Sequence, residues 1–183
     1  NAPSALNRAY EPGWLGRFQA LESEITTTNF NPALAWRVND RLSIGAGISY
    51  QRVQAELTNA VNYSAVVAQG VQQMVAQGQL APEAAPAVIA ANLGLEGGAR
   101  VRGDDGAWGF NVGLMLDLSD ATRIGLAYRS GPTYEVEGTV RFTPPVVTDP
   151  VGAGIVAAAS ATGGPLASGP ASVDLDLPDT VLL

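Results

Sequence analysis

Alternation of apolar and polar residues marks five segments of the chain. In the longest, residues 123–142, the even positions from Ile124 to Phe142 are mostly apolar, and the odd positions carry mainly arginine, glutamate and threonine. A period of two residues predicts a β-strand. Twenty residues at about 3.3 Å each would make a strand of about 65 Å, whereas strands of globular proteins usually have about 5–6 residues. A strand of this length is a poor fit to an ordinary sandwich fold.

Four other segments repeat the pattern. Their apolar positions alternate along residues 30–38, 42–50, 108–118 and 173–177. Short polar connections at residues 39–40 and 119–122 predict two antiparallel hairpins. The other two connections, at about residues 59–106 and 143–171, are long. Short turns therefore lie at one end of the predicted sheet and long loops at the other.

Alternating segments of about ten residues, this asymmetry of turns and loops, and aromatic residues near the segment ends are typical of outer-membrane barrels. The predicted fold class is all-β: part of an antiparallel transmembrane β-barrel, with about four full strands plus partial ones and a helical extracellular loop insertion. Residues 1–183 would form the partial barrel, 59–98 the helical loop and 143–171 the second long loop. The apolar face would meet lipid, and the face with Arg129, Glu135, Glu137 and Arg141 would line the interior. A half-buried sheet in a soluble protein is the alternative.

The first long loop contains two helical patterns. Val67, Val71, Met74 and Val75 follow the spacing of one helix face, with Asn62 or Ser64 as a possible N-cap. A second helix is predicted to begin at Pro82, with Pro82 and Glu83 in its first turn, Val88, Ile89 and Leu93 on one side and Gly94 as its stop.

The apolar stripes of these helices have two possible roles. They could pack on each other and cap the barrel, or they could form a groove for an apolar ligand. The candidate ligand-binding residues in the loop are Val67, Val71, Met74, Val75, Leu80, Val88, Ile89 and Leu93.

Composition excludes several kinds of chemistry. The 183 residues include no cysteine and no histidine, which rules out a thiol nucleophile, an imidazole base, a disulfide and a Cys/His zinc site within this chain. The net charge is −7, and the arginines form no basic cluster along the chain, so nucleic acid is not an expected partner. We identify no catalytic set and expect no cofactor. Asp104 and Asp105 could suggest a calcium site, but a turn entering the third strand is the favoured interpretation.

No run of 18 apolar residues predicts a membrane-spanning helix. The glycine- and proline-rich stretch at residues 151–171 is better suited to a loop. The start of the chain lacks the features of a signal peptide, and we expect the sequence to be a fragment.

Three motifs resemble the FadL family of outer-membrane transporters for long-chain fatty acids and other hydrophobic compounds. They are NPALAWRVNDRLSIGAGISYQ at residues 31–51, GDDGAWGFNVGLMLDLSDATRIGLAYRS at 103–130 and DLDLPD at 174–179. The resemblance covers nearly the whole chain and rests on the order and spacing of the motifs. It implies a larger barrel plugged by an N-terminal hatch, of which this chain would hold the outer end of the third strand to the start of the eighth. Residues 31–33 read Asn-Pro-Ala like the family's hatch motif, but they lie within an alternating segment.

The resemblance also implies where ligands bind. The family collects ligand in a groove between two long extracellular loops, passes it to an interior pocket with basic side chains, and releases it sideways through the wall. Arg129 and Arg141 are the candidate basic residues here, although internal ion pairs with Glu135 and Glu137 are the favoured alternative. Leu57 stands where another basic contact would be expected, which leaves neutral hydrocarbons possible as ligands.

The function predicted is therefore passive uptake of hydrophobic compounds across the bacterial outer membrane. The expected partners are fatty acids or hydrocarbons and outer-membrane lipid. A structural or adhesive barrel without specific transport is one alternative, and a soluble all-β lipid-binding module is another.

Overall fold

The computed structural model describes residues 4–119 and 121–183. This part of the chain forms nine strands and three helices. The strands are β1 (Ser4–Ala9), β2 (Glu22–Phe30), β3 (Ala33–Arg37), β4 (Leu42–Asn62), β5 (Glu96–Ser119), β6 (Thr122–Arg129), β7 (Thr133–Thr143), β8 (Gly169–Asp176) and β9 (Thr180–Leu182). The helices are α1 (Tyr63–Ala76), α2 (Ala85–Ala91) and α3 (Pro150–Ser160).

All nine strands belong to one antiparallel sheet. Its centre is the pair β4 and β5, which remain in one register from Leu42 opposite Leu116 to Asn62 opposite Glu96. Strands β2 and β3 lie end to end along β4, and β6 and β7 lie end to end along β5. Strand β9 pairs with β6, and β8 pairs with β7. The predicted all-β architecture with a helical insertion is confirmed.

The first predicted hairpin joins β3 to β4. The side-chain oxygen of Asn39 accepts hydrogen bonds from the backbone N–H groups of Arg41 and Leu42, both at 2.9 Å, which fixes the turn. In the second turn, between β5 and β6, Asp120 lies outside the described residues.

The long segment at 123–142 is two strands, so the prediction of one continuous strand is wrong. Register shows the reason: Asn111 of β5 faces Arg129 of β6, whereas Asp104 faces Glu137 of β7, which leaves one extra residue between the two pairings. Such an insertion is a β-bulge, and it exchanges the two faces of everything beyond it. Gly131 fits here because a Cβ would lie 1.9 Å from the Leu177 carbonyl oxygen.

The lower half of the sheet, next to the short turns, has the predicted faces. Register places Leu34, Ala46, Val112 and Tyr128 side by side, and does the same for Trp36, Ile44, Leu114 and Leu126. This even-numbered side is the more exposed side of β4 and β5, and is therefore the convex, outer side. The upper limit of the apolar part of this side is marked by two aromatic pairs. The ring centroids of Tyr50 and Trp108 lie 5.0 Å apart, and those of Phe110 and Tyr128 lie 5.6 Å apart. We call this group the aromatic belt.

Above the aromatic belt, β4 and β5 continue as the centre of a wall that β2 and β1 extend on one side and β7 and β8 on the other. Asp104 and Asp105 lie within β5, so the prediction of a turn at this point is wrong. Asp105 instead bridges a gap between strands, because its carboxylate accepts hydrogen bonds from the backbone N–H groups of Gly106 at 2.6 Å and Glu135 at 2.7 Å. The helical insertion is correspondingly shorter than predicted and occupies residues 63–95.

Three helices lie beyond the upper end of the wall. The predicted helices α1 and α2 are present, and Asn62 caps α1 by accepting a hydrogen bond from Ala65 N–H at 3.1 Å. Helix α2 begins only at Ala85, so the prediction that Pro82 and Glu83 lie in its first turn is wrong. Helix α3 was not predicted; it lies in the second loop, with Asp149 as N-cap and Pro150 in its first turn. No helix in the described part of the chain has the length and hydropathy that crossing a membrane would require.

Candidate hydrophobic-ligand site

The three helices form a compact cap with its own apolar core. Tyr63, Val67 and Val71 of α1 are fully buried, and Val156 of α3 is buried beside them. Half-buried residues of α2 and the connecting segments pack around them, among them Leu80, Val88 and Ile89. Tyr63 also reaches the start of β5, where a Cβ on Gly97 would lie 2.4 Å from its ring. The cap is therefore anchored to the wall below it.

A hydrogen-bonded link joins the two loops within this cap. Buried Asn92, just after α2, donates from its amide to the Asp149 carboxylate at 3.1 Å and to the Val88 carbonyl oxygen at 2.8 Å. The same carboxylate accepts a hydrogen bond from Gly152 N–H at 2.7 Å. The backbone bond from Gly152 and then the amide bond from Asn92 hold the pKa of Asp149 below its usual range.

A groove of about 620 Å³ runs between α1 and α3. Val66, Gly70 and Met74 lie along α1 at helical spacing, and Val151, Gly154 and Ile155 lie on α3; glutamines form part of the rim. Gly70 lets the helices approach closely, since a Cβ there would lie 2.5 Å from Ile155 Cγ2. The groove is open and mainly apolar, which suits a hydrophobic molecule.

A second apolar surface covers the concave side of the wall above the aromatic belt. Its centre is Tyr134, which is fully buried against Val53, Ala107 and Val136. The residues that register places on this inner side are largely apolar: Val53, Ala55, Leu57, Ala99, Val101, Ala107, Tyr134, Val136, Val140, Val173 and Leu175. We call this surface the interior wall. It gives the upper half an apolar inside and a charged outside, which reverses the arrangement of the lower half.

Arg141 consequently points outwards, and the prediction that it lines the interior is wrong. It lies opposite Arg100, on the side that also carries Arg102 and Glu56. The bulge between β6 and β7 causes the change, and it carries Glu135 and Glu137 to the outer side as well. Among the ion pairs of the described residues, none joins these glutamates to Arg129 or Arg141.

Arg129 does face the interior, just below the bulge. It lies opposite Asn111 of β5 and close to Asn31 at the break between β2 and β3. The Asn31 side-chain amide is oriented so that both its oxygen and its nitrogen form hydrogen bonds. The oxygen accepts from Arg129 Nη2 at 3.1 Å, and the nitrogen donates to the Ile48 carbonyl oxygen at 3.1 Å. These three polar side chains lie beneath the interior wall.

The predicted ligand-binding residues thus separate into different places. Met74 lines the groove, whereas Val67 and Val71 take the packing role that the sequence analysis left open. Val75 is half-buried, and Leu93 is 69% exposed away from the groove. The residues that sequence reasoning missed are Val66, Gly70 and all those on α3. The Asp149-Pro150 pair, an N-cap followed by proline, was the available signal for that helix.

A curved antiparallel wall with an apolar outer band, an aromatic belt and helical loops at one end defines an outer-membrane β-barrel segment. The family described as Outer membrane protein transport protein (OMPP1/FadL/TodX) matches residues 1–183. The chain belongs to this family, which confirms the resemblance seen in the sequence and places the protein in the bacterial outer membrane.

Individual relatives support the same fold. The chain is 26% identical over 119 residues to the long-chain fatty acid transport protein of Escherichia coli O6:H1, covering 64% of this chain and 25% of that protein. A Pseudomonas aeruginosa FadL homologue superposes with a TM-score of 0.69 at 22% identity, covering 97% of this chain and 38% of that one. The toluene transporter TodX of Pseudomonas putida gives 0.50 at 17% identity, covering 98% and 44%. The chain therefore spans between a quarter and a half of these relatives.

Proposed function

We propose that the protein forms part of a passive outer-membrane channel for hydrophobic compounds, which are captured in the groove between α1 and α3 and then pass to the interior wall. The observation that carries this proposal is the reversal of polarity above the aromatic belt. It gives the barrel an apolar inside directly below the helical cap, where a water-filled pore would need polar side chains.

The driving force at each step is removal of apolar surface from water. A hydrocarbon chain gains about 0.8 kcal/mol for each buried CH₂, so the groove attracts alkyl and aromatic molecules without a specific polar contact. Transfer then requires that the interior wall offers a similar gain, because one much deeper site would retain the molecule. The presence of two extended apolar surfaces in succession supports this route.

Two substrate classes fit these surfaces, namely long-chain fatty acids and neutral hydrocarbons. The relatives are named for long-chain fatty acid transport and for toluene transport. Asp105 lies on the same inner side, opposite Val53, and the nearest predicted basic contact is Arg129 below the interior wall. A carboxylate would have to compete with Asn31 for that guanidinium, whereas a neutral hydrocarbon needs no such partner.

The test compares uptake of oleate and toluene by cells that carry the full-length protein at matched surface levels. Val66→Asp combined with Met74→Asp places two charges in the groove while leaving the buried valines of the cap intact. We expect uptake of both compounds to fall several-fold, because the change removes apolar binding area. Uptake of a small polar solute should not change.

Leu93→Asp is the matched control, since it adds a charge to an exposed apolar residue outside the groove, and it should leave uptake normal. Unchanged uptake of both compounds in the double variant would reject capture by the groove and favour a structural or adhesive role. Arg129→Gln separates the substrate classes: a loss confined to oleate would identify a carboxylate contact in the interior.

A further inference from the structure

The outer side of the wall above the aromatic belt carries an unbalanced group of arginines. Arg100 and Arg102 share a single carboxylate, that of Glu56, at 3.0 Å and 2.6 Å. Arg141 of β7 lies directly opposite Arg100. Like charges in opposite positions on neighbouring strands destabilise a sheet. Glu24 lies opposite Glu56, and Asp104 and Glu137 lie below Arg102 on the same outer side, so the positive charge is concentrated at Arg100 and Arg141.

Arg141 has no carboxylate to offset that repulsion: none of the ion pairs among the described residues includes it. The side chains of Arg100 and Arg102 remain 50% and 60% exposed despite their contact with Glu56. All three can therefore approach a ligand from outside the barrel. Arginine pairs favour phosphate because the planar guanidinium donates two parallel hydrogen bonds to its oxygens.

A polar depression of about 470 Å³ adjoins these arginines on the same outer side. Gly103 and Gly138, which lie opposite each other on β5 and β7, also line it. Its polar lining residues are Glu24, Thr26, Gln54, Glu56, Arg102, Asp104, Glu137 and Thr139. Carboxylates, an amide and hydroxyl groups together can accept from and donate to the hydroxyl groups of a sugar.

The height of this site above the membrane narrows the choice of ligand. Six residues separate Arg102 from Trp108 of the aromatic belt, which corresponds to about 20 Å along the strand and about 15 Å along the membrane normal at the usual strand tilt. The headgroup layer of a phospholipid extends only about 5–8 Å beyond the hydrocarbon on each side. A ligand anchored in the membrane needs several sugar units to place a phosphate at the arginines.

We propose that this outer depression binds the phosphorylated saccharide headgroup of a glycolipid in the outer leaflet. The phosphate contacts Arg100, Arg102 and Arg141, and the sugar hydroxyl groups contact the polar lining beside them. This site lies on the opposite side of the wall from the apolar surfaces, and does not depend on which compound the channel transports. It would fix the barrel within its lipid annulus.

The experiment measures binding of a phosphorylated glycolipid with a core of several sugar units to the purified full-length protein in detergent. Arg100→Gln combined with Arg141→Gln should weaken binding at least tenfold. Arg8→Gln with Arg41→Gln removes the same charge away from the depression and should leave the affinity unchanged. Thr139→Asp, which adds a negative charge at the rim beside Arg102, provides a second variant if the first fails to fold, and should also weaken binding.

Three ligand controls identify the source of the chemistry. After enzymatic dephosphorylation, the glycolipid should bind the wild-type protein about as weakly as the intact glycolipid binds the double variant. Equal affinity for the dephosphorylated glycolipid, for phosphatidylglycerol or for inorganic phosphate alone would overturn the proposal. The proposal would also be overturned if the intact glycolipid bound the Arg100→Gln/Arg141→Gln variant as tightly as it binds the wild-type protein and the Arg8→Gln/Arg41→Gln control.

Discussion

The lower and upper halves of the β4–β5 wall use the same two strands with opposite polarity. Below the aromatic belt, the outer side carries residues such as Ile44 and Leu114, and the inner side carries Gly45, Gly113 and Asn111. Above the belt, the outer side carries arginine and glutamate, and the inner side carries the interior wall. Both halves obey the period of two residues. Alternation therefore separates two faces without saying which face meets water.

The surroundings decide that question in each half. Lipid covers the outer side of the lower half, so apolar side chains are stable there and polar ones cluster inside. Water and headgroups surround the upper half, so its apolar side chains gain free energy only on the inner side. The comparison implies that equivalent substitutions should have different costs at different heights on the same strand.

The largest difference should appear at the centre of the interior wall. Tyr134→Ala removes a fully buried aromatic side chain and should lower the free energy of unfolding by about 3–5 kcal/mol. Glu135→Ala, on the next residue and the outer side, should change it by less than about 0.5 kcal/mol. Urea titration of the full-length protein in lipid vesicles measures both. Similar losses at the two positions would mean that β7 does not turn its apolar side inwards.

A somewhat smaller effect is expected where the lower half meets lipid. Leu114→Arg should cost about 2–4 kcal/mol because it places a charge near the middle of the hydrocarbon. Arg102→Leu, higher on the same side of the same strand, should cost far less, since that side is surrounded by water and headgroups. The same urea titrations apply. A comparable cost for the two changes would contradict the reversal of polarity along β5.

The lower half could be predicted from the sequence because its strands pair in one continuous register. Every apolar position from Leu42 to Tyr50 then follows from counting by two. The faces of β7 could not be predicted in this way. The one-residue bulge at residues 130–132 can be recognised only when the pairing of β5 with both β6 and β7 is known. Gly131 and Pro132 alone do not show that the register changes by one residue.

The cap shows a related limit. Sequence periodicity located α1 and α2 and narrowed the N-cap of α1 to Asn62 or Ser64, because those features are local. It could not decide whether the stripe of Val67 and Val71 or the neighbouring stripe of Val66 and Met74 would remain open. That choice depends on α3, whose alanines and glycines give little contrast between its sides. The identity of the groove is therefore a tertiary property.

The smallest expected effect concerns the link between the loops above the upper half. The pKa of Asp149 is lowered in the folded protein, so its carboxylate contributes stability that is fully present above the ordinary aspartate pKa of about 4 and is lost as the pH falls through the lower folded value. Protonation weakens the bonds from Gly152 and Asn92 and should loosen α3. Spin labels at exposed Gln72 and Ala157 report the distance between α1 and α3.

We expect the distribution of distances between these labels to broaden below about pH 4 in the wild-type protein. Asp149→Asn is the matched variant, because asparagine remains a good N-cap and an acceptor but does not titrate. Its distribution should stay nearly constant over the same range. If both proteins broaden alike, another acidic group controls the cap. If neither broadens, the apolar core around Val67 and Val156 holds the helices together without the link, and the groove would keep its shape at any pH that leaves the barrel folded.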